Sequence, residues 1–258
     1  VYDVGGRLLL DYAPQEKKIE RIPDPAPAAK LPCEIQTNEE LYLTGLENTL
    51  KITAIALVIG IIIGFLIAAV LSINAQTGRL WPLALLGKGY ITIIRGTPAM
   101  IQLLLIYYVV FASSSLNAVF VASIAFGINS GAYVAEIVRS GMNSVPKGQM
   151  EAARCLGLST GASMKSVVVP QAVRNILPAL GNESISLLKE TSIAGFIGVI
   201  ELTRAADIIR GQTYDALVPL IAVALIYLVI VLVLQFLIKK STAAYEELHL
   251  AAEALTHA

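Results

Sequence analysis

Long apolar runs separated by short polar segments set the pattern of this chain. Residues 52–77 contain no charge, and a bilayer-spanning helix needs about 20 mostly apolar residues. A second clear apolar run covers residues 216–238. The chain is also free of charge over residues 96–135, which is too long for one crossing and suits two. The apolar pattern therefore predicts membrane-spanning helices.

The polar segment 112–117, "ASSSLN", divides the third run into two helices. A weaker fifth span includes three charged residues in its first half. The pattern predicts an all-α integral membrane protein with about five transmembrane helices, at residues 50–74, 90–112, 117–138, 178–200 and 216–238. Composition agrees, because 56% of residues are hydrophobic and 15% are charged, whereas soluble domains are about 25% charged.

The distribution of Lys and Arg predicts the orientation. Residues 139–174 hold five basic residues and one acid, whereas residues 1–48 hold five basic and nine acidic residues. Since cytoplasmic loops are enriched in Lys and Arg, we expect the N terminus outside and the C terminus in the cytoplasm.

Three regions follow from this topology. Residues 1–42 read as an extracytoplasmic polar, proline-rich tail or linker, residues 43–240 as the transmembrane domain, and residues 241–258 as a cytoplasmic tail. The net charge of zero gives no indication of a nucleic-acid partner. Cys33 and Cys155 are far apart and suggest neither a disulfide framework nor a metal site.

The basic loop 139–177 has helical character. In "GQMEAARCLGL" good helix formers precede Gly157, which suits a helix stop. In "STGASMKSVVVPQ" Ser159 is a candidate N-cap, and Pro170 is expected to break the helix. Two short helices in a compact cytoplasmic knob favour docking of another protein. The alternative is that the knob only packs beneath the helix bundle.

Several segments resemble a known family. "EAARCLGL" followed by "VVVPQAVRNILPAL" is similar to the EAA signature of ABC-importer permeases. "IIRGTPAMIQLLLIYY", "INSGAYVAEIVRSGMNSVPKGQMEAA" and "GNESISLLKETSIAGFIGVIELTRAADII" resemble the polar amino acid permease group within that family. The resemblance covers residues 43–240 and implies a type I ABC-importer permease fold with a cytoplasmic coupling helix, in a bacterial inner membrane.

The resemblance also implies partners. These are two ATPase subunits, a second permease subunit that is identical or homologous, an extracytoplasmic substrate-binding protein and an amino acid substrate. The ATPase-coupling residues would be Glu151, Ala152, Ala153, Arg154 and Gly157. ATP and Mg would be used by the ATPase, because this chain lacks a P-loop signature. The chain itself would be neither an enzyme nor a cofactor-binding protein.

Charged residues inside a predicted span are costly and usually functional. Glu183, Asn182 and Lys189 in "GNESISLLKETSIAG" are therefore candidates for substrate binding. A carboxylate at Glu183 would accept hydrogen bonds from an ammonium, a guanidinium or an amide. This favours arginine, lysine, histidine or glutamine as the substrate. Alternatively, Glu183 is a structural partner of Lys189 or of an arginine.

Two further polar groups complete the predicted site. Asn129, Ser130 and Tyr133 lie in "INSGAYVAE", where the alternative role of the first two is interhelical hydrogen bonding. Thr97 and Gln102 flank Pro98, which is expected to break a helix and free backbone groups to line a cavity.

The pattern and the resemblance together favour the permease subunit of an ATP-driven importer of polar or basic amino acids. The alternative is a secondary amino acid transporter or channel that acts alone. No inverted repeat is visible in the sequence to support it.

Overall fold

A computed structural model describes residues 37–256, with the backbone alone for residues 246 and 248–256. The regular structure of the described residues is entirely helical, and the predicted all-α class is confirmed. The helices are α1 (Asn38–Thr77), α2 (Trp81–Gly96), α3 (Ala99–Leu105), α4 (Ala118–Asn143), α5 (Lys147–Cys155), α6 (Thr160–Ser163), α7 (Val169–Glu190), α8 (Leu202–Thr213) and α9 (Leu217–Thr256). A π-helical turn, Ile106–Val110, continues α3, and a second, Met164–Val168, joins α6 to α7. A 3₁₀ helix, Thr191–Ile197, follows α7.

Helix α1 begins well before the predicted span 50–74. Thr37 and Glu40 form a capping box, in which the Thr37 N–H donates to Glu40 Oε2 at 2.8 Å and the Glu40 N–H donates to Thr37 Oγ1 at 3.3 Å. This cap satisfies backbone donors at the helix start and extends α1 beyond its apolar part. Residues 38–42 of the predicted tail 1–42 therefore belong to α1, and residues 1–36 lie outside the described residues.

The predicted span 90–112 is two helices. α2 and the α3 segment, ending at Val110, meet at an angle of 109° across Thr97 and Pro98. The predicted break at Pro98 is thus present. Segment 112–117 is non-helical as predicted, and Asn117 caps α4 by accepting from the Val119 N–H at 2.8 Å.

The number of spans depends on how charged and broken helices are counted. Among the described residues, α1, α4 and α9 are long and apolar enough to cross a membrane, and the bent α2–α3 pair makes a fourth. Helix α7 has 22 residues but carries Arg174, Glu183, Lys189 and Glu190. By length and composition alone, three or four spans are found instead of about five. Helix α9 continues through the predicted tail 241–258 as far as Thr256.

Helix α7 corrects two boundaries. The predicted span 178–200 starts nine residues after the helix does, and its last part is the 3₁₀ segment. Pro170 does not end a helix: it lies in the first turn of α7, directly after the π-helical turn Met164–Val168, and the chain is helical on both sides of it. Together with α6 and the π-helical turn, α7 gives an uninterrupted helical run over residues 160–190.

Helices α1 and α4 form the most closely packed pair. At Gly60 a Cβ atom would lie 3.0 Å from Ser130 Cβ, and at Gly64 it would lie 2.5 Å from Val134 Cβ. From the other side, a Cβ at Gly127 would lie 2.7 Å from Ile59 Cβ. Small residues spaced four apart therefore bring the two helices into close contact, as in other membrane helix pairs.

Helix α8 is held at its start by a buried carboxyl group. Glu201 is fully buried, and its oxygens accept from the Thr203 and Arg204 N–H groups at 2.7 Å each, which caps α8. Burial raises the pKa of Glu201 to about 7, against the lowering effect of these donors.

Helix α1 fixes this capped turn. The Asn48 Nδ2 donates to the Ile200 carbonyl at 2.9 Å, and Thr49 Oγ1 accepts from the Leu202 N–H at 3.3 Å. A Cβ at Gly45 would lie 3.0 Å from the Glu201 carbonyl carbon, so the backbones are in direct contact. The start of α8 is thus tied to the first half of α1.

Candidate substrate site and coupling knob

The broken helix positions one half of the candidate substrate site. Gln102 is buried, and its Nε2 donates to the Ile94 carbonyl at 2.7 Å and to Thr97 Oγ1 at 2.7 Å. It also lies 3.0 Å from the Thr97 carbonyl. The Gln102 amide therefore satisfies carbonyl groups that the break at Pro98 leaves without a helical partner.

Helix α4 extends this hydrogen-bond chain. Asn129 is buried and donates from Nδ2 to Gln102 Oε1 at 2.9 Å. The next residue, Ser130, is also buried and donates from Oγ to Glu183 Oε1 on α7 at 2.8 Å. We call these five residues, Thr97, Gln102, Asn129, Ser130 and Glu183, the polar site. The structure thus brings together five of the eight residues predicted to bind substrate.

Tyr133 adjoins the polar site through an arginine. The guanidinium carbon of Arg95 lies 5.3 Å from the centre of the Tyr133 ring, which is a cation–π arrangement. Arg95 also interacts electrostatically with Glu183. Arg95 was not predicted to belong to the site, although its position at the border of the charge-free segment 96–135, seven residues before Gln102, was a usable signal.

Asn182 and Lys189 do not join the polar site. Asn182 is exposed and lines a groove beside Gln235 and Lys239 of α9. Lys189 is exposed near the end of α7 and forms no ion pair with Glu183. Successive helical residues are turned by about 100°, so Asn182 and Glu183 face different neighbours.

One oxygen of the Glu183 carboxylate is free. Its Oε1 accepts from Ser130, whereas Oε2 has no hydrogen-bond partner among the described residues. The side chain is partly exposed, unlike those of Asn129 and Ser130. The arrangement can therefore accept a hydrogen bond from a cationic or amide group, beside the positive charge of Arg95.

The coupling candidates lie on α5 and just after it. We call residues 147–163, which include α5 and α6, the knob. Glu151, Ala152 and Arg154 are exposed, whereas Ala153 is buried at 4% exposure. Arg154 also hydrogen-bonds Thr160 of α6. The knob therefore fixes its two short helices to each other and leaves the Glu-Ala-Ala segment accessible.

Gly157 ends α5, as predicted. Its φ is +88°, and its N–H donates to the Arg154 carbonyl at 3.0 Å while the Leu158 N–H donates to the Ala153 carbonyl at 3.2 Å. This is the Schellman arrangement, which needs a left-handed residue and so favours glycine. Ser159 then caps α6, accepting from the Ala162 N–H at 3.3 Å, which confirms the second predicted helix start.

A multi-pass helical membrane protein with a broken helix, a buried polar site and an exposed knob has the features of a transport permease. A family model described as the inner membrane component of binding-protein-dependent transport systems matches residues 56–243. The chain belongs to this family, as a permease of the amino acid ABC-importer group. Such permeases work with ATPase subunits and a binding protein and are not enzymes themselves.

Individual relatives agree with this assignment. The chain is 40% identical over 196 residues to a putative glutamine transport permease, GlnP, of Rickettsia conorii, covering 74% of this chain and 86% of that one. It is 39% identical over 197 residues to the arginine transport permease ArtQ of Bacillus subtilis, with coverage of 76% and 88%. It is 37% identical over 203 residues to the glutamine permease GlnP of Escherichia coli, with coverage of 78% and 90%.

Solved structures give the same result. A crystal structure of an amino acid ABC transporter with histidines matches with a TM-score of 0.72 and 43% identity, covering 80% of this chain and 94% of that chain. An inward-facing structure of the MetNI methionine transporter matches with a TM-score of 0.66 and 20% identity, covering 80% and 96%, and shows the shared fold.

Proposed function

We propose that this permease imports glutamine or a basic amino acid, namely arginine, lysine or histidine, and that Glu183 binds the substrate. The observation that carries the proposal is the Ser130–Glu183 hydrogen bond of 2.8 Å beside the broken helix. It holds one carboxylate oxygen in place and leaves the other free to accept a bond from an ammonium, guanidinium or amide group. The names of the glutamine and arginine permeases among the relatives support this range of substrates.

Within this proposal, the other members of the polar site hold the broken helix and α4 in place around Glu183. Gln102 and Asn129 are buried and use their amide groups on each other and on the broken helix. Tyr133 holds Arg95, whose charge attracts a substrate carboxylate. Asn182 and Lys189 are left out, because they face away from Glu183.

We also propose that the knob receives the force of ATP hydrolysis. Glu151, Ala152, Ala153, Arg154 and Gly157 would dock in an ATPase subunit, which binds ATP and Mg, while this chain binds no cofactor. The uninterrupted run over residues 160–190 supports this role, because it connects the knob to Glu183. The permease pairs with a second copy or a paralogue, with its N terminus outside and its C terminus in the cytoplasm.

The experiment is uptake of labelled arginine and glutamine by proteoliposomes that contain the permease, its ATPase and its binding protein. Glu183→Gln keeps the size of the side chain and removes its charge. We expect the KM to rise, or the rate to fall, by about 10-fold to 100-fold, since hydrogen bonds to charged groups contribute roughly 1.5–3 kcal/mol.

Ser184→Ala is the matched control, because the Ser184 hydroxyl donates to the Leu180 carbonyl of its own helix at 2.9 Å. Unchanged uptake by Glu183→Gln would show that Glu183 is structural. Uptake that continues without ATP and the ATPase would instead support the transporter that acts alone.

A further inference from the structure

A cavity of about 700 Å³ lies between the last parts of α1 and α4 and the middle of α2. Met164 and Val168 of the π-helical turn complete its wall. The cavity does not include any member of the polar site. It is therefore a separate feature, placed beside the segment that joins the knob to α7.

The cavity contains groups without partners. Asn74 Oδ1 is buried and accepts no hydrogen bond from a described residue. Lys88 also lines the cavity and forms no ion pair with a described residue. A buried acceptor without a donor is costly, so this wall favours a ligand that supplies one. The same ligand should carry an anionic group for Lys88.

A carboxylate and a guanidinium stand on the opposite wall. Arg139 Nε donates to Glu136 Oε2 at 3.2 Å, and Arg139 Nη2 also bonds Glu136 Oε1. Both residues line the cavity. Because this pair is neutral overall, Lys88 gives the cavity a net positive charge. Each Glu136 oxygen accepts one bond from Arg139 and keeps a second lone pair that can accept from a ligand cation.

The cavity continues the polar site along two helix faces. On α4, Asn129, Tyr133 and Glu136 recur at positions i, i+4 and i+7, which share one face. Glu136 is about 10 Å further along the helix axis than Asn129, at 1.5 Å per residue.

Helix α2 provides the matching face. Lys88, Thr92 and Arg95 also follow i, i+4 and i+7. Arg95 stacks on Tyr133 and interacts electrostatically with both Glu183 and Glu136. Arg95 thus interacts with one carboxylate of the polar site and with one carboxylate that lines the cavity.

We infer that the cavity is a second amino acid site, which holds the zwitterion of the substrate after it leaves Glu183. Its carboxylate would face Lys88, and its ammonium would bond Asn74 Oδ1 and Glu136. An α-amino acid has both groups, whereas an anion without a hydrogen-bond donor, such as sulfate, would leave Asn74 Oδ1 without one. The inference rests on the proposed function, because it takes the same substrate and the same direction of transport.

The first test measures binding of labelled arginine and glutamine to the purified permease–ATPase complex without the binding protein. We expect two bound amino acids per permease chain in the wild type and one in Glu183→Gln. Adding Lys88→Met to Glu183→Gln should remove the second, and Asn74→Leu should weaken it by about tenfold, the effect of about 1.4 kcal/mol. Arg79→Gln is the control, since Arg79 is exposed at the same end of the molecule and does not line the cavity.

The second test uses proteoliposomes that contain increasing amino acid on the ATPase side. In Lys88→Met, we expect about tenfold more internal amino acid to be needed for half-inhibition of uptake, with an unchanged KM for the external substrate. A merely structural role would change the KM and the rate together.

The outcomes separate the two proposals. If the wild type binds neither amino acid, the proposed substrate fails and the second site fails with it. If Glu183→Gln abolishes all binding and Lys88→Met changes neither binding nor half-inhibition, only the second site is overturned.

Discussion

The polar site and the knob differ in the exposure and the hydrogen-bond partners of their polar side chains. In the polar site, Gln102, Asn129 and Ser130 are buried and bond each other or Glu183. In the knob, Glu151 is exposed. A buried side chain that hydrogen-bonds its neighbours holds those neighbours in place, whereas an exposed side chain on an ordered helix is available to a partner protein. The difference agrees with the proposed division of one chain into a substrate-binding site and a docking surface.

The largest expected effect comes from separating α1 and α4 beneath the polar site. Gly64→Leu places side-chain atoms where a Cβ alone would lie 2.5 Å from Val134 Cβ. Overpacking of this kind costs about 1–3 kcal/mol or more. We expect lower yield and a lower Tm in detergent, with amino acid binding lost.

Gly89→Leu is the matched control, because a Cβ at Gly89 has nothing within 4 Å. If Gly64→Leu were as stable as Gly89→Leu, the close α1–α4 contact would not support the polar site.

A substitution in the knob should impair coupling to ATP hydrolysis and leave amino acid binding intact. Gly157→Ala adds a methyl group that meets nothing within 4 Å, but an alanine at a φ of +88° is strained by about 1–2 kcal/mol. We expect uptake per ATP hydrolysed to fall by about tenfold while amino acid binding to the complex is unchanged.

Gly148→Ala, on α5 and with open space around it, should couple normally. Loss of amino acid binding in Gly157→Ala would contradict the separation of the two regions.

A smaller effect is expected at Ser130. Ser130→Ala removes one hydrogen bond from Glu183 but keeps the carboxylate and its charge. We expect binding of arginine or glutamine to weaken by about threefold to tenfold, which is less than for Glu183→Gln, with a normal ratio of uptake to ATP hydrolysis. An equal or larger loss than in Glu183→Gln would mean that Ser130 itself contacts the substrate.

The smallest effect is expected at Glu201, outside both regions. Its pKa of about 7 lies above the usual value, so the folded protein holds this proton more tightly than the unfolded chain does. The stabilisation is complete at low pH and is lost as the pH rises from about 4.5 to 7.

Glu201→Gln should therefore flatten the fall in Tm over that pH range, and amino acid binding should be unaffected. A Tm profile with the wild-type slope would show that another group carries this dependence.

Local chemistry made part of the molecule predictable from the sequence. Gly157 was recognisable as a helix stop because glycine tolerates a positive φ, and Pro98 as a break because proline lacks an N–H. Glu183 stood out as a charge within an apolar segment. The capping box at Thr37 and Glu40 was also readable, and it would have extended α1 to its observed start.

The remaining features depend on tertiary packing. Asn182 lies beside α9, whereas Glu183 bonds Ser130 of α4. Which side of α7 packs against which helix is decided by the tertiary fold, and a single sequence does not contain that information. The partnership of Gln102 with Asn129 requires the 109° bend, whose size is set by packing. Pro170 was misinterpreted because a proline in the first turn of a helix looks like one that ends it.

If an ATPase moves the knob as proposed, the run of helix over residues 160–190 would act as a lever. Counted along the helix at 1.5 Å per residue, Glu183 is about 35 Å from the knob end of this run. A tilt of roughly 10° about that end would therefore displace the carboxylate by about 6 Å, more than the length of a hydrogen bond. In the proposed mechanism, a small angular change at a knob bound by an ATPase would therefore carry Glu183 out of reach of Ser130.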